Sequence, residues 1–419
     1  MAAASTMSLN LAAGAGAATS AARRAPASAR LAAPGALRAG SLRSAAVIGG
    51  TTGRRALTAA RPSGPAIRRD GGARVAPLAL FGRGDKKSKR KTVILTGASS
   101  GLGLATLRSL MENQGEDYHV VCGVRDVEKM EKIVQEEGYS RDQVSVYQLE
   151  LKSKDSVKAF VKKFRGSGRV LDVLCCNAAI YLPNQPKPTF GDYGYEESLT
   201  VNHLSHFLLV NMMVQDLKKS KEPRCIIVGS ITGNTNTVGG GAVRPFADLG
   251  SMKGLAEKAV MVDGKDYDGA KAYKDSKLAN MMTVLELHRR YHESTGIVFS
   301  SLYPGCIAET ALFRQKRGWF RTIFPLFMKY VTGGYVSEDE AGDRLAEVIT
   351  SPKCNKSGVY WSWNGGARTT GVYNPIKKEV QGAGGSGGEL FENMPSAEVR
   401  NERKGKKLWE LSEKAVGLS

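Results

Sequence analysis

Two residues one helical turn apart, Tyr273 and Lys277 in the run YKDSK, could do acid–base chemistry. Positions i and i+4 share a helix face, so the ammonium would lie near the phenol. A nearby positive charge favours the phenolate, lowering the phenol pKa toward operating pH, and the same ammonium could reach ribose hydroxyls. Alone, the spacing equally fits a solvent-facing pair, so its company matters. The run TGASSGLG, Thr96 to Gly103, is a phosphate-binding pattern: Gly97, Gly101 and Gly103 let the backbone turn tightly and approach a pyrophosphate, with Ser99, Ser100 and Leu102 between them. In CNAAI, the small residues Asn177, Ala178 and Ala179 admit a cofactor close to the chain. Arg125, in CGVRD, stands where many dinucleotide folds carry an acid on the ribose 2′-hydroxyl, and Lys129 follows one turn later. A guanidinium there suits a 2′-phosphate, so NADPH is favoured.

Elements able to position these residues follow from the hydrophobic pattern. Short apolar, often β-branched runs predict strands near 92–96, 118–124, 144–150, 171–177, 224–230 and 297–303. Amphipathic stretches predict helices near 101–114, 127–137, 154–166, 195–219 and 270–293. This alternation is that of an α/β, doubly wound parallel sheet of the Rossmann type, since near-continuous apolar strands need helices on both faces. The glycine pattern falls between the first strand and first helix, the placement that gives it meaning. A single domain over 91–374 is expected, with insertions at 232–269 and 311–336, a Gly-rich linker at 375–395 and a C-terminal amphipathic helix within 396–419.

The chain has 419 residues and a formal charge of +20, which at first suggests nucleic acid or a membrane surface. Residues 1–80 hold eleven Arg, no Lys and one acid, Asp70, so half of that excess sits in an Ala-, Gly- and Ser-rich segment without periodicity. Such a segment reads as an organelle transit peptide, and composition does not choose plastid or mitochondrion. Residues 81–90 form a further basic stretch, and no nucleic-acid motif accompanies the charge. No apolar run reaches the ~18 residues of a membrane span. The six Cys show no metal-ligand spacing, so a metal is not expected, and Cys122, Cys175, Cys176 and Cys225 read as reduced core thiols.

From about Lys91 to Asn374 the chain resembles the short-chain dehydrogenases/reductases, on TGASSGLG, CNAA and YKDSK in that order. The resemblance places a catalytic constellation on Asn202, Ser230, Tyr273 and Lys277, with Thr232 a substitute for Ser230. VILTGASSGLG, CNAAIYLP, VGSITGNTNT, KAYKDSKLANM, SLYPGCIAET and KLWELSEKAVGLS further resemble the light-dependent protochlorophyllide reductases. This implies NADPH- and light-driven reduction of the C17–C18 double bond of protochlorophyllide, in a plastid, in the stroma or peripheral on the thylakoid membrane. Tyr273 would then be the proton donor to C18. Peripheral membrane association, a homo-oligomer and no nucleic-acid partner complete the expectation.

Three features stay open at this level. Cys306, after the Pro304-Gly305 turn, is implied by the resemblance to bind pigment or supply the proton, and otherwise packs the turn. The aromatic and basic segment 311–336 suits a lid, a lipid contact or an ordinary buried helix. Tyr181 and Tyr193 are candidates for the pigment pocket. A carbonyl or retinoid-type reductase using the same residues, and a non-catalytic NADPH- or pigment-binding scaffold, are the competing functions.

Overall fold

The computed structural model describes residues 90–241, 244–307, 335–365, 371–374, 379–382 and 385–419. The expected transit segment 1–80 and most of 311–336 lie outside the described residues. The glycine turn leaves β1 (Lys91–Thr96) and opens α1 (Gly101–Gln114), as the pattern requires. The chain continues through β2 (Tyr118–Val124), α2 (Val127–Glu136), β3 (Val144–Gln148), α3 (Lys154–Gly166) and β4 (Val173–Cys176). A π-helical turn, Thr200–Leu204, leads into α4 (Ser205–Leu217), followed by β5 (Arg224–Val228), α5 (Gly269–Leu287) and β6 (Val298–Leu302). Then come α6 (Glu338–Thr350), β7 (Val359–Trp363), a two-stranded hairpin of β8 (Gly371–Asn374) and β9 (Glu379–Gly382), β10 (Leu390–Asn393) and α7 (Glu402–Val416).

The main sheet runs β10-β7-β6-β5-β4-β1-β2-β3 and is parallel except for β10, which pairs antiparallel with β7. Strand order reverses between β1 and β4, which opens a crevice at their carboxyl ends. Both faces are buried. Phe160, Phe207, Leu278 and Phe299 pack on one side, and Leu107, Met130, Leu345 and Trp361 on the other. Trp409 of α7 is 1% exposed and sits 4.7 Å from Phe207, so the C-terminal helix closes the first core layer. Cys122, Cys175, Cys176 and Cys225 are buried free thiols, as expected.

Two expectations are corrected. The sheet does not stop at six strands, because VYWSW (359–363) forms the fully buried β7 and α6 precedes it. Nor is 375–395 a linker: it contributes β9 and β10, and Gly385 N donates to Gly365 O at 2.9 Å. Glycine composition signals freedom in the unfolded chain, not the absence of partners in the folded one.

The insertion after β5 is fastened to α5, the helix that carries the YKDSK run. Asp248 N donates to Asp275 Oδ1 (2.9 Å), Lys271 Nζ to Asp248 O (2.7 Å) and Lys274 Nζ to Pro245 O (2.8 Å). Asn234 and Asn236 donate to the Met394 carbonyl, which ties the same insertion to the chain after β10.

Candidate active site

At the crevice the carboxyl ends of the strands line a groove of about 570 Å³. Gly97, Ser99, Ser100, Gly101, Leu102 and Gly103 form its floor at one end. Gly97 has φ +73°, a left-handed conformation open to glycine, and a side chain there would meet Ala178 Cα at 2.9 Å. A Cβ on Gly103 would fall 2.3 Å from Gly97 O and 2.7 Å from Asn177 Nδ2. The turn therefore closes on itself and leaves the first amides of α1 facing the groove, with no acidic residue in that first turn to repel an anion. Thr96 locks this end to β4: its Oγ1 accepts from Asn177 N (2.9 Å) and Ala178 N (3.0 Å), while Asn177 Nδ2 donates to Thr96 O (2.8 Å).

Arg125 and Lys129 are exposed at the rim. The neighbouring acid, Asp126, caps α2 by accepting from Lys129 N at 2.9 Å, which directs its carboxylate to the helix end. Glu150, Leu151 and Lys152, beyond β3, line the groove beside them and were not anticipated. Their position at the carboxyl end of a strand was the available signal.

Ser230, Thr232, Tyr273, Lys277 and Cys306 meet at the other end, along with Tyr181 and Tyr303. The Ser230 hydroxyl neighbours the Tyr273 phenol and lies 2.9 Å from Thr232 Oγ1. The Tyr181 and Tyr273 rings are 4.8 Å apart at 55°. Lys277 Nζ donates to Val228 O at 2.8 Å and is 5.9 Å from the Tyr273 ring centroid. Tyr193, by contrast, is a core residue whose hydroxyl accepts from Ser205 Oγ at 3.1 Å, away from the groove.

Electrostatics here correct one expectation. Burial pushes the Tyr273 phenol above its ordinary value, only partly opposed by the Ser230 hydrogen bond. Burial also brings Lys277 down to about 8 and pushes the Cys306 thiol up to about 12. In the free groove the phenol is thus held protonated. The Lys277 ammonium is aimed at the Val228 carbonyl and not at the phenol oxygen. A protonated phenol is what a proton donor needs.

Asn202 stands behind the groove, not in its lining. It is fully buried in the π-helical turn, where its Oδ1 accepts from Ile180 N (2.8 Å) and its Nδ2 donates to Ile180 O (3.0 Å) and Ser276 Oγ (3.0 Å). Its carbonyl accepts from Asn280 Nδ2 at 2.9 Å and lies 3.2 Å from His206 Nδ1. His206 Nε2 is in turn 3.0 Å from Thr96 Oγ1. Burial brings His206 down to about 4, so it is a neutral link in this chain. Asn202 thus joins the wall at Ile180 to the helix that bears Tyr273.

Strand order, glycine turn and the Ser230–Tyr273–Lys277 cluster define a dinucleotide-binding oxidoreductase fold, and a family model described as short chain dehydrogenase matches residues 91–242. Its groove takes a nicotinamide cofactor. Among curated proteins, the chain is 50% identical over 343 residues to a chloroplastic protochlorophyllide reductase of Cucumis sativus, covering 80% of each. It is 51% identical over 337 residues to that of Chlamydomonas reinhardtii, covering 79% of each. It is 50% identical over 343 residues to protochlorophyllide reductase A of Arabidopsis thaliana, covering 80% of this chain and 79% of that one. The chain belongs to the protochlorophyllide reductase family. Among solved structures, an NADPH-bound carbonyl reductase from chicken fatty liver aligns with TM-score 0.48 and 21% identity, covering 65% of this chain and 96% of that one.

Proposed function

We propose that the protein reduces the C17–C18 double bond of protochlorophyllide to chlorophyllide in the plastid, using NADPH and light. The observation that carries this reading is the identity of about half over four-fifths of the chain to protochlorophyllide reductases, on a fold whose acid–base cluster is intact. The chloroplastic relatives also support residues 1–80 as a plastid-targeting segment.

When bound, NADPH supplies the hydride. The α1 amides hold its pyrophosphate, Arg125 and Lys129 its 2′-phosphate, and Asn177, Ala178 and Ala179 border the adenosine side. Lys277 binds the ribose hydroxyls. Tyr273 delivers the proton to C18, and Ser230 orients its hydroxyl. Cys306, protonated and at the same end, borders the pigment. Illuminating the full chain with NADPH and protochlorophyllide, then extracting the pigment, tests the reading. Chlorophyllide formed only in the lit sample is expected, whereas dark NADPH oxidation on ketones or aldehydes would point to a carbonyl reductase.

Two predictions arise here. Replacing Arg125 by Ala removes the charge-assisted bonds to the 2′-phosphate, worth about 1.5–3 kcal/mol, so preference for NADPH over NADH should drop roughly 10- to 100-fold. Paired dissociation constants for the two nucleotides check this, and an unchanged ratio assigns the phosphate elsewhere. The second concerns pH. Lys277 is charged below about pH 8 and loses its proton above it, so photoreduction at limiting NADPH should be sustained below pH 8 and decline above it. A rate that stays level well beyond pH 8 would show that the ammonium is not required.

A further inference from the structure

A buried guanidinium outside the groove grips the turn that carries Cys306. Arg344, on α6, is 4% exposed and does not line the groove. Its Nη1 donates to the Pro304 carbonyl at 2.8 Å. Its Nη2 donates to Glu340 Oε1 (2.8 Å) and to the carbonyls of Gly385 (2.7 Å) and Gly387 (2.8 Å). The Trp363 ring lies 5.2 Å from the guanidinium carbon. Gly385 and Gly387 belong to the glycine-rich run that the proposed reaction leaves without a role. Residues 386 and 387 are themselves held, because Gly387 N and Ser386 Oγ donate to the Glu340 carboxylate at 2.6 and 2.5 Å.

On the groove side, Pro304 precedes Gly305, whose φ is +119° and whose Cβ would lie 2.3 Å from Val336 Cγ2 and 2.9 Å from Arg344 Nη1. Cys306 O accepts from Val336 N at 3.1 Å. The turn is thus fixed at Pro304 by the guanidinium and at Cys306 by the residue just ahead of α6. That helix also meets α1 at backbone distance, since a Cβ on Gly342 would fall 2.5 Å from the Ala105 carbonyl carbon. One helix therefore references both the phosphate-binding helix and the Cys306 wall. A planar guanidinium can span acceptors on opposite sides, which a lysine ammonium cannot.

We infer that Arg344 is a positioning residue for the proposed reduction, clamping the Pro304–Cys306 wall against the glycine-rich loop at the pigment end of the groove. The inference rests on the proposed function for its kinetic consequence and on geometry alone for the clamp. A wall released by even 1 Å can cost up to about a hundredfold in rate, while the adenosine end, held by other residues, keeps its affinity.

The test uses the full chain as wild type, Arg344→Met and Arg344→Lys. Cys306 is the one partly exposed thiol of the six, so maleimide labelling followed by peptide mass spectrometry reports its wall directly. Faster Cys306 labelling and a photoconversion yield per flash reduced about tenfold or more are expected in both variants, with affinity for adenosine 2′,5′-bisphosphate unchanged. Wild-type labelling and yield in Arg344→Met overturn the inference. So does full rescue by Arg344→Lys, which would leave only a charge effect, and so does loss of bisphosphate binding in a folded variant, which would mean a fold-wide role. If Arg344→Met does not fold, Gly387→Ala, which forces a side chain into φ +74°, should accelerate Cys306 labelling, and unchanged labelling there overturns the clamp. Absence of photoconversion in wild type would defeat the proposed function, and labelling would still decide the clamp.

Discussion

Tyr273→Phe should lower photoreduction by roughly a hundred- to ten-thousandfold, the usual range for a positioned general acid, while NADPH binding stays near the wild-type value. The substitution keeps the ring that packs 4.8 Å from Tyr181 at a tilt of 55° and removes only the hydroxyl beside Ser230. Lys277 stays on the Val228 carbonyl, so the ribose contact proposed for it should survive. The phenol is 9% exposed and held protonated by burial, so the proton it would donate is present in the resting enzyme. The variant's single-turnover yield, beside its NADPH dissociation constant, checks this. Sustained yield would move the proton source to a different protonated group at that end of the groove, with the Cys306 thiol the first to test.

Gly103→Ala should be nearly as damaging by a different route, through the cofactor and not the acid. The added methyl would sit 2.3 Å from Gly97 O and 2.7 Å from Asn177 Nδ2, and the first of these is backbone with no freedom to swing away. The turn must open, which tilts the α1 amides off the pyrophosphate and disturbs the Asn177 to Thr96 bond. Losing two charge-assisted hydrogen bonds at about 1.5–3 kcal/mol each weakens NADPH by at least about a hundredfold. Overpacking costs about 1–3 kcal/mol of stability in addition. Nucleotide titration and thermal melting measure the two separately, and a variant that binds NADPH normally would mean the pyrophosphate lies elsewhere.

Much of this architecture was legible because its strands are continuous apolar runs and its helices amphipathic, so period and composition agree from β1 to β6. The glycine turn, the small residues after β4 and the Tyr273–Lys277 pair were legible for the same reason: each needs particular residue types at fixed spacing. Other features depend on neighbours that spacing does not report. The direction of the Tyr273 shift follows from burial, so the i, i+4 argument alone pointed the wrong way. Asn202 was recognisable as a polar residue in an apolar stretch, but its place behind the wall, on Ile180 and Ser276, comes from the π-helical turn. Glycine content made 382–388 look like a tether, whereas its carbonyls are the acceptors that Arg344 uses. Strand β10 is short and half-exposed at the sheet edge, which leaves almost no alternation to read.

The claim that unites these features is that hydride leaves NADPH in this groove for protochlorophyllide, and only in light. NADPH deuterated at both C4 positions of the nicotinamide, mixed with the full chain and the pigment in ordinary water, tests it most directly by mass spectrometry of the extracted product. Chlorophyllide carrying one deuterium after illumination, and none formed in darkness, is the expected result. Unlabelled product, or labelled product formed without light, would contradict it.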